Sequence, residues 1–183
     1  MAMDLIGFDI DSWLNPQMIA YAVGGVGIVI EWRAYWLPGA KEFRSWSAAG
    51  ALLWAIQYCV LNAWTAGLTM ACTSLRTFLS DSLTIGVAKH AAALTFSLLF
   101  SLLTFFSWQG FISLLPAFAV LNTTWALFYL GNRCMRLALV ASSVAWILND
   151  IVWQAWPALL AESVAVVINL RTLYRLFFRS HAL

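Results

Sequence analysis

The stretch Trp54-Ala55-Ile56-Gln57-Tyr58-Cys59-Val60-Leu61-Asn62-Ala63-Trp64 aligns, at a shift of 92 residues, with Trp146-Ile147-Leu148-Asn149-Asp150-Ile151-Val152-Trp153-Gln154-Ala155-Trp156. Trp54 recurs as Trp146 and the Ala63-Trp64 pair as Ala155-Trp156; upstream, Gly39, Lys41 and Arg44 recur as Gly131, Arg133 and Arg136 at the same shift. Leu75-Arg76-Thr77 recurs as Leu170-Arg171-Thr172 at a shift of 95, which implies a three-residue insertion near the start of the last helix. Two copies of one unit therefore make up most of the chain. Paired repeats are how many small-solute transporters build a binding site at the repeat interface, so transport is the function class to weigh first.

Composition decides the solvent. Hydrophobic residues are 63% and charged residues 10%, with a mean hydropathy of +0.83, against about 45–50% and about 25% in a soluble domain. The chain reads as an all-α integral membrane protein. Apolar runs of the roughly 20 residues that cross a bilayer fall at about 15–36, 46–64, 66–80, 91–108, 111–130, 137–154 and 157–178. Seven helices fill the 183 residues and leave no length for an aqueous catalytic domain, so residues 1–183 form a single membrane domain. No basic n-region or small-residue cleavage site precedes the first run, which is expected to act as the insertion signal itself. Cys59, Cys72 and Cys134 are isolated, without CxxC spacing, and read as small packing residues.

All ten basic residues fall at alternate helix ends: Arg33, Lys41 and Arg44; Arg76 and Lys89; Arg133 and Arg136; Arg171, Arg175 and Arg179. Under the positive-inside bias that face is cytoplasmic, the acidic N-terminus with Asp4, Asp9 and Asp11 lies outside, and the C-terminus lies inside. The net charge of +2 is explained by topology and gives no support to nucleic-acid binding.

The repeats cover about 15–80 and 111–178, three helices each, with the run at about 91–108 as a linker helix. Three helices alone would invert the second copy, and the linker restores the first orientation. The paired basic turns at Lys41 and Arg44 and at Arg133 and Arg136 need the same side, so the repeats are expected to be parallel about a pseudo-two-fold along the membrane normal. This three-plus-one-plus-three plan resembles the SWEET and SemiSWEET sugar transporters and the wider PQ-loop superfamily. Thr124-Trp125-Ala126-Leu127-Phe128, Ala145-Trp146-Ile147-Leu148-Asn149 and Asn169-Leu170-Arg171 resemble more closely the bacterial inner-membrane proteins of the YgjV family, over nearly the whole chain. The resemblance implies a multi-pass protein of the bacterial inner membrane, with a SWEET-like fold and a site on the pseudo-axis.

The chain departs from the PQ-loop pattern in its prolines, which hinge the first helix of each repeat in that superfamily. Here Pro116 lies in the fifth helix, and its repeat partner falls near Val23 or Gly24. Pro16-Gln17 spells the dipeptide, but its counterpart is near Trp108 and Gln109, so it reads as a helix-start proline. Gly24, Gly25 and Gly27 either replace the missing flexibility or form a close-packing face.

Ionisable groups in hydrocarbon are costly, which singles out Asp150 and Glu162. At about 1.5 Å per residue both sit roughly 6–8 Å below the outer surface. Two acids at one depth with no nearby cation favour a shared proton, which suits proton or cation sensing; wet, ordinary interfacial acids are the competing reading. Trp146, Asn149, Asp150 and Trp153 form one helical stripe, and Trp54, Gln57, Tyr58 and Leu61 form its counterpart. Aromatic faces and amides in facing stripes suit a polar, ring-shaped solute, although many of the eleven Trp must be interface anchors. The SWEET-like resemblance implies that Asn169 matches the pocket asparagine of the last helix of a repeat, with Ser74 as its weaker partner.

Arg76 and Arg171 read as helix-end cations that snorkel to lipid phosphate, or as gating partners of Glu31 or Glu42. Glu31 itself reads as interfacial unless it lies deep enough to matter. His90 reads as a solvated interface residue. With only His90 and His181, no His-rich metal cluster can be built, and no GxSxG, HExxH, Walker A or GxGxxG motif is present in context. No enzyme activity, metal or other cofactor is expected. The expectation is a carrier of a small polar solute, with Trp54, Gln57, Tyr58, Ser74, Trp146, Asn149 and Asn169 contacting it and Asp150 and Glu162 sensing a proton or cation. The solute and the lipid bilayer are its partners, and a homo-oligomer is compatible with the sequence. The alternative is a membrane scaffold or regulatory protein in which the same groups only bond helix to helix.

Overall fold

A computed structural model describes residues 15–35, 40–79 and 86–178. Asp4, Asp9, Asp11, Gly39, Arg179 and His181 lie outside the described residues, as do the side chains of Lys41, Arg44 and Arg175. Among the described residues the protein is all helical, with seven helices: α1 Pro16–Tyr35, α2 Ala40–Val60, α3 Trp64–Leu79, α4 Gly86–Phe106, α5 Leu114–Tyr129, α6 Asn132–Val152 and α7 Trp156–Phe178. A single 3-10 turn, Phe111–Ser113, leads into α5. Among the described residues four segments have the length and apolarity to cross a membrane: Gly86–Phe106, Phe111–Tyr129, Arg133–Val152 and Trp156–Tyr174.

The helix boundaries have local causes. Pro16 is the first residue of α1, where its missing N–H costs nothing, and the Asn15 carboxamide oxygen accepts from Gln17 N at 3.0 Å. Pro116 lies in the first turn of α5, again where a proline breaks no intrahelical bond. α2 begins at Ala40 and ends at Val60, earlier at both ends than the expected 46–64. Its end is fixed by Asn62, which takes the left-handed conformation (φ 61°). Ala63 N then reaches back to Tyr58 O at 2.8 Å, the six-to-one bond of a Schellman motif. α6 ends identically: Gln154 is left-handed (φ 53°) and Ala155 N bonds Asp150 O at 2.8 Å.

α2 packs on both α1 and α3, and α6 on both α5 and α7; α4 touches α3 and α5, α1 meets α7, and α3 meets α5. The buried surfaces are rich in alanine, including Ala51, Ala55, Ala63, Ala66, Ala119, Ala145, Ala155 and Ala158. Small residues of this kind let membrane helices approach closely. The outward faces carry exposed Val29, Leu52, Ile56, Leu98, Leu102, Ile151 and Val167, as a lipid-facing surface requires. Of the glycine run, Gly24 and Gly27 are packing positions. A Cβ on Gly24 would overlap Gln57 Oε1 and lie 2.7 Å from Pro157 Cβ, and one on Gly27 would rest 3.4 Å from the Trp54 indole. Gly25 has nothing within 4 Å.

The N-terminal face is tied together by two glutamines. Gln17 Nε2 donates to Gln154 Oε1 at 2.9 Å, joining the start of α1 to the α6–α7 turn. Gln109 Nε2 donates to Asn62 O at 2.7 Å, joining the start of the α5 segment to the α2–α3 turn, and its Oε1 accepts Trp64 N at 2.8 Å. Gln109 is the 92-residue counterpart of Gln17, and Gln154 that of Asn62, so the two contacts are reciprocal.

Candidate functional site

Below that face lies a buried polar layer. Gln57, Tyr58, Asn149 and Asp150 are all at most 2% exposed, although they come from the stripes that end α2 and α6. The Tyr58 hydroxyl donates to Asp150 Oδ1 at 2.5 Å, and its ring stacks on Trp146 with centroids 5.7 Å apart. Asn149 Nδ2 approaches the same carboxylate oxygen at 3.4 Å. Asp150 Oδ2, Asn149 Oδ1 and both amide atoms of Gln57 are buried without a hydrogen-bond partner. Such atoms are costly in a dry interior, and four of them in one layer mark the least satisfied part of the bundle.

Two cavities open beneath the layer. The first, about 140 Å³, lies among α1, α2, α3 and α7 and is lined by Glu31, Trp54, Tyr58, Thr73 and Glu162, with Ser47 and Ala51 toward the other end. The second, about 180 Å³, lies among α3, α5, α6 and α7, with Arg76, Thr123, Leu139, Ser143, Trp146 and Glu162 in its wall. Glu31, Ser47, Ala51 and Trp54 of the first wall have Thr123, Leu139, Ser143 and Trp146 of the second as their 92-residue counterparts. Met70, Thr73 and Glu162 line both. The volumes fall below the roughly 300–1,000 Å³ of drug-sized pockets, so any occupant is small.

The side chains singled out from sequence therefore divide into three groups. Trp54, Tyr58, Trp146 and Glu162 line cavities. Gln57, Asn149 and Asp150 belong to the sealed layer above. Asn169 and Ser74 line neither cavity: Asn169 Oδ1 accepts from Arg136 Nη1 at 2.8 Å while its Nδ2 donates to Ala165 O at 3.1 Å. The Ser74 hydroxyl donates to Ala48 O at 2.6 Å. Asp150 and Glu162, expected at one depth, are parted: Asp150 lies in the layer and Glu162 in the cavity walls beneath it. Among the described residues no hydrogen bond joins them, and Ser143 is the hydroxyl partner of Glu162.

Arg76 departs from the expectation of a snorkelling cation. It is 6% exposed, turned into the bundle, with Nη1 donating to Thr124 Oγ1 at 2.5 Å and its guanidinium 5.8 Å from the Phe100 ring centroid. Its counterpart Arg171 is exposed. Glu31, read as interfacial, is deep enough to accept Trp54 Nε1 at 3.1 Å and to line the first cavity. The hydroxyls of Thr73, Thr123, Ser142 and Ser143 were not singled out; adding 92 to the residues around Trp54 would have located two of them. His90 Nδ1 lies 2.9 Å from the Tyr129 hydroxyl at the exposed start of α4, where Lys89 also covers the Tyr129 ring. Among the described residues no three His, Cys, Asp or Glu side chains gather as metal ligands would, so the arrangement can offer hydrogen bonds, aromatic faces and charge.

No curated protein and no solved structure matches the chain. The family model of Imp-YgjV, described as bacterial inner membrane protein, matches residues 18–180. With nearly all of its length so matched and its apolar helices facing outward, the chain belongs to this family of bacterial inner-membrane proteins.

Proposed function

We propose that this protein carries a small polar solute across the bacterial inner membrane by alternating access. In this reading α1–α3 and α5–α7 are parallel units joined by α4 in a SWEET-like three-plus-one-plus-three bundle. The observation that carries it is reciprocity. Exchanging the repeats turns the Gln17–Gln154 contact into Gln109–Asn62, as in an isologous pair about a two-fold axis, and turns Glu31, Ser47, Ala51 and Trp54 of one cavity wall into Thr123, Leu139, Ser143 and Trp146 of the other. On such an axis a residue meets its own counterpart, as Tyr58 meets Asp150.

That contact, with Gln57 and Asn149, closes the N-terminal face, while the cavities extend toward the basic helix ends. This is one end state of an alternating-access cycle, and parting of Tyr58 from Asp150 opens the other. Under the positive-inside bias the basic face is cytoplasmic, the N-terminus outside and the C-terminus inside. Trp54, Tyr58 and Trp146 supply the solute wall, and Glu162 and Asp150 the acids that sense a proton or cation. No enzymatic step and no cofactor enters this reading.

The bonds of Asn169 to Arg136 and of Ser74 to Ala48 favour a second reading, in which polar groups only join helices in a non-transporting scaffold or regulatory protein. Exchange of a metabolite extract in proteoliposomes decides between them. The carrier reading expects protein-dependent flux of at least one small polar solute, abolished by Trp146→Ala in a variant that still folds. Flux no faster than in protein-free vesicles would leave the scaffold reading standing.

A further inference from the structure

We infer that the second cavity is a subsite for a short zwitterion, with Arg76 taking the carboxylate of the solute and Glu162 its ammonium group. The inference rests on the cavities being the solute site of the carrier reading, and it names the substrate class.

Arg76 and Glu162 line the same cavity of about 180 Å³, yet they are not joined. The guanidinium is held instead by Thr124, whose hydroxyl is itself fixed by donating to Val120 O at 2.6 Å. Among the described residues no carboxylate pairs with Arg76; the guanidinium meets Thr124 and the Phe100 face, with Cys72 of the same helix close by. A guanidinium has five N–H donors, so one hydrogen bond leaves most of its capacity unused. α3 and α7 each start two residues after a left-handed turn, at Asn62 and Gln154. At 1.5 Å per residue, the Cα levels of Arg76 and Glu162 then differ by about 9 Å along the helices. Opposite charges held apart across one small cavity leave space for a molecule to enter between them. Thr73 adds a buried hydroxyl with no partner in the same wall, and Ser143 stands beside Glu162.

Charge then selects the occupant. A neutral solute leaves a buried cation uncompensated, which is expensive in a bilayer. A plain anion satisfies Arg76 but faces Glu162, with Glu31 in the adjoining cavity. A plain cation satisfies the acids but meets the guanidinium. Only a solute with both charges on a short frame answers both ends.

The test uses three molecules of one carbon skeleton: L-alanine with both charges, L-lactate with the anion alone, and alaninol with the cation alone. Saturable rises in the unfolding temperature of the detergent-purified protein report binding. The trio is repeated on the leucine skeleton in case the cavity prefers a larger side chain. Expected is binding of the zwitterion at least about tenfold tighter than either single-charge analogue, the equivalent of one charge-assisted hydrogen bond. Arg76→Gln should abolish zwitterion binding and Arg76→Lys restore part of it. Glu162→Gln should remove the preference of the protein for the amino acid over the hydroxy acid, which keeps the test open should Arg76→Gln fail to fold. Equal binding of a single-charge analogue, no binding of either zwitterion, or an unchanged preference in Glu162→Gln would overturn the inference. Zwitterion binding without vesicle flux would sink the carrier reading alone. Flux of a neutral solute without zwitterion binding would sink this inference alone.

Discussion

Removing the Tyr58 hydroxyl tests whether the buried layer is an energetic closure or only a close approach. Tyr58→Phe keeps the ring and its stack on Trp146 but leaves Asp150 Oδ1 without its 2.5 Å donor, in a carboxyl whose Oδ2 already lacks a partner. Hydrogen bonds between membrane helices average about 0.6 kcal/mol and reach about 1.7 kcal/mol, while bonds to charged groups contribute about 1.5–3 kcal/mol. Both residues are at most 2% exposed, so water cannot replace the bond, and the upper part of the bilayer range applies. A cycle of Tyr58→Phe, Asp150→Leu and the double variant should give a coupling of about 1.5 kcal/mol, close to tenfold in the unfolding equilibrium. Asp150→Asn retains an acceptor for the phenol and should cost less than either single deletion. Reversible unfolding in mixed micelles reads all four variants. Coupling below about 0.3 kcal/mol, the ordinary limit of additivity, would refute the reasoning and with it the layer as a closure.

Gly67→Ala should destabilise by about 1–3 kcal/mol, because its Cβ would lie 2.5 Å from Cys59 Sγ and 3.2 Å from Ala55 O. Gly25→Ala, with nothing within 4 Å, should be neutral or slightly stabilising in the same unfolding assay. Asn169→Ala should lower stability by about 1–3 kcal/mol, since Arg136 loses its acceptor while its buried Nε already has none; a solute-binding defect with unchanged stability would contradict that assignment. For topology, the exposed native Cys134 should react with an impermeant maleimide only after cells are permeabilised. Trp108→Cys in a Cys134→Ser background should react in intact cells; labelling of Cys134 but not of position 108 from outside would reverse the assigned orientation, and labelling of both would break it.

What the sequence could reveal was what period and rise determine. The number of helices, the stripe of Trp146, Asn149 and Asp150, and the matching stripe of Trp54, Gln57 and Tyr58 follow from spacing along a helix. The azimuth of each helix about its own axis does not, and there the reading diverged. Asp150 and Glu162 were placed at one depth by rise alone, yet packing sends one into the sealed layer and the other into the cavities. Arg76 sits near a helix end, where a cation ordinarily snorkels outward, and only the position of Thr124 on α5 explains its inward turn. Asn169 has the residue type of a solute ligand, but Arg136 on the neighbouring helix occupies it. The beginning of α2 was missed because its first turn is polar, and its end because Asn62 takes a left-handed conformation that sequence marks only weakly.

In the proposed repeat arrangement, the same geometry explains why two copies of one unit differ where they meet. At the proposed axis a residue meets its own counterpart, so identical side chains there would pair like with like. Two aspartates at the position of Tyr58 and Asp150 would bring acid against acid in a dry interior, and two tyrosines would place a second ring where the carboxyl now fits. One phenol and one carboxyl give a donor and an acceptor, and that difference turns a point of repulsion into a bond. Trp54 and Trp146, set back from the axis, remain identical because each faces its own cavity. Polar asymmetry is therefore concentrated where the units touch, and in the walls of the two cavities it appears again as Glu31 against Thr123 and as Arg76 turned inward while Arg171 remains outside. In the carrier reading, a site built this way presents two different sets of charges within a nearly symmetric frame, which is what recognition of an unsymmetric solute requires.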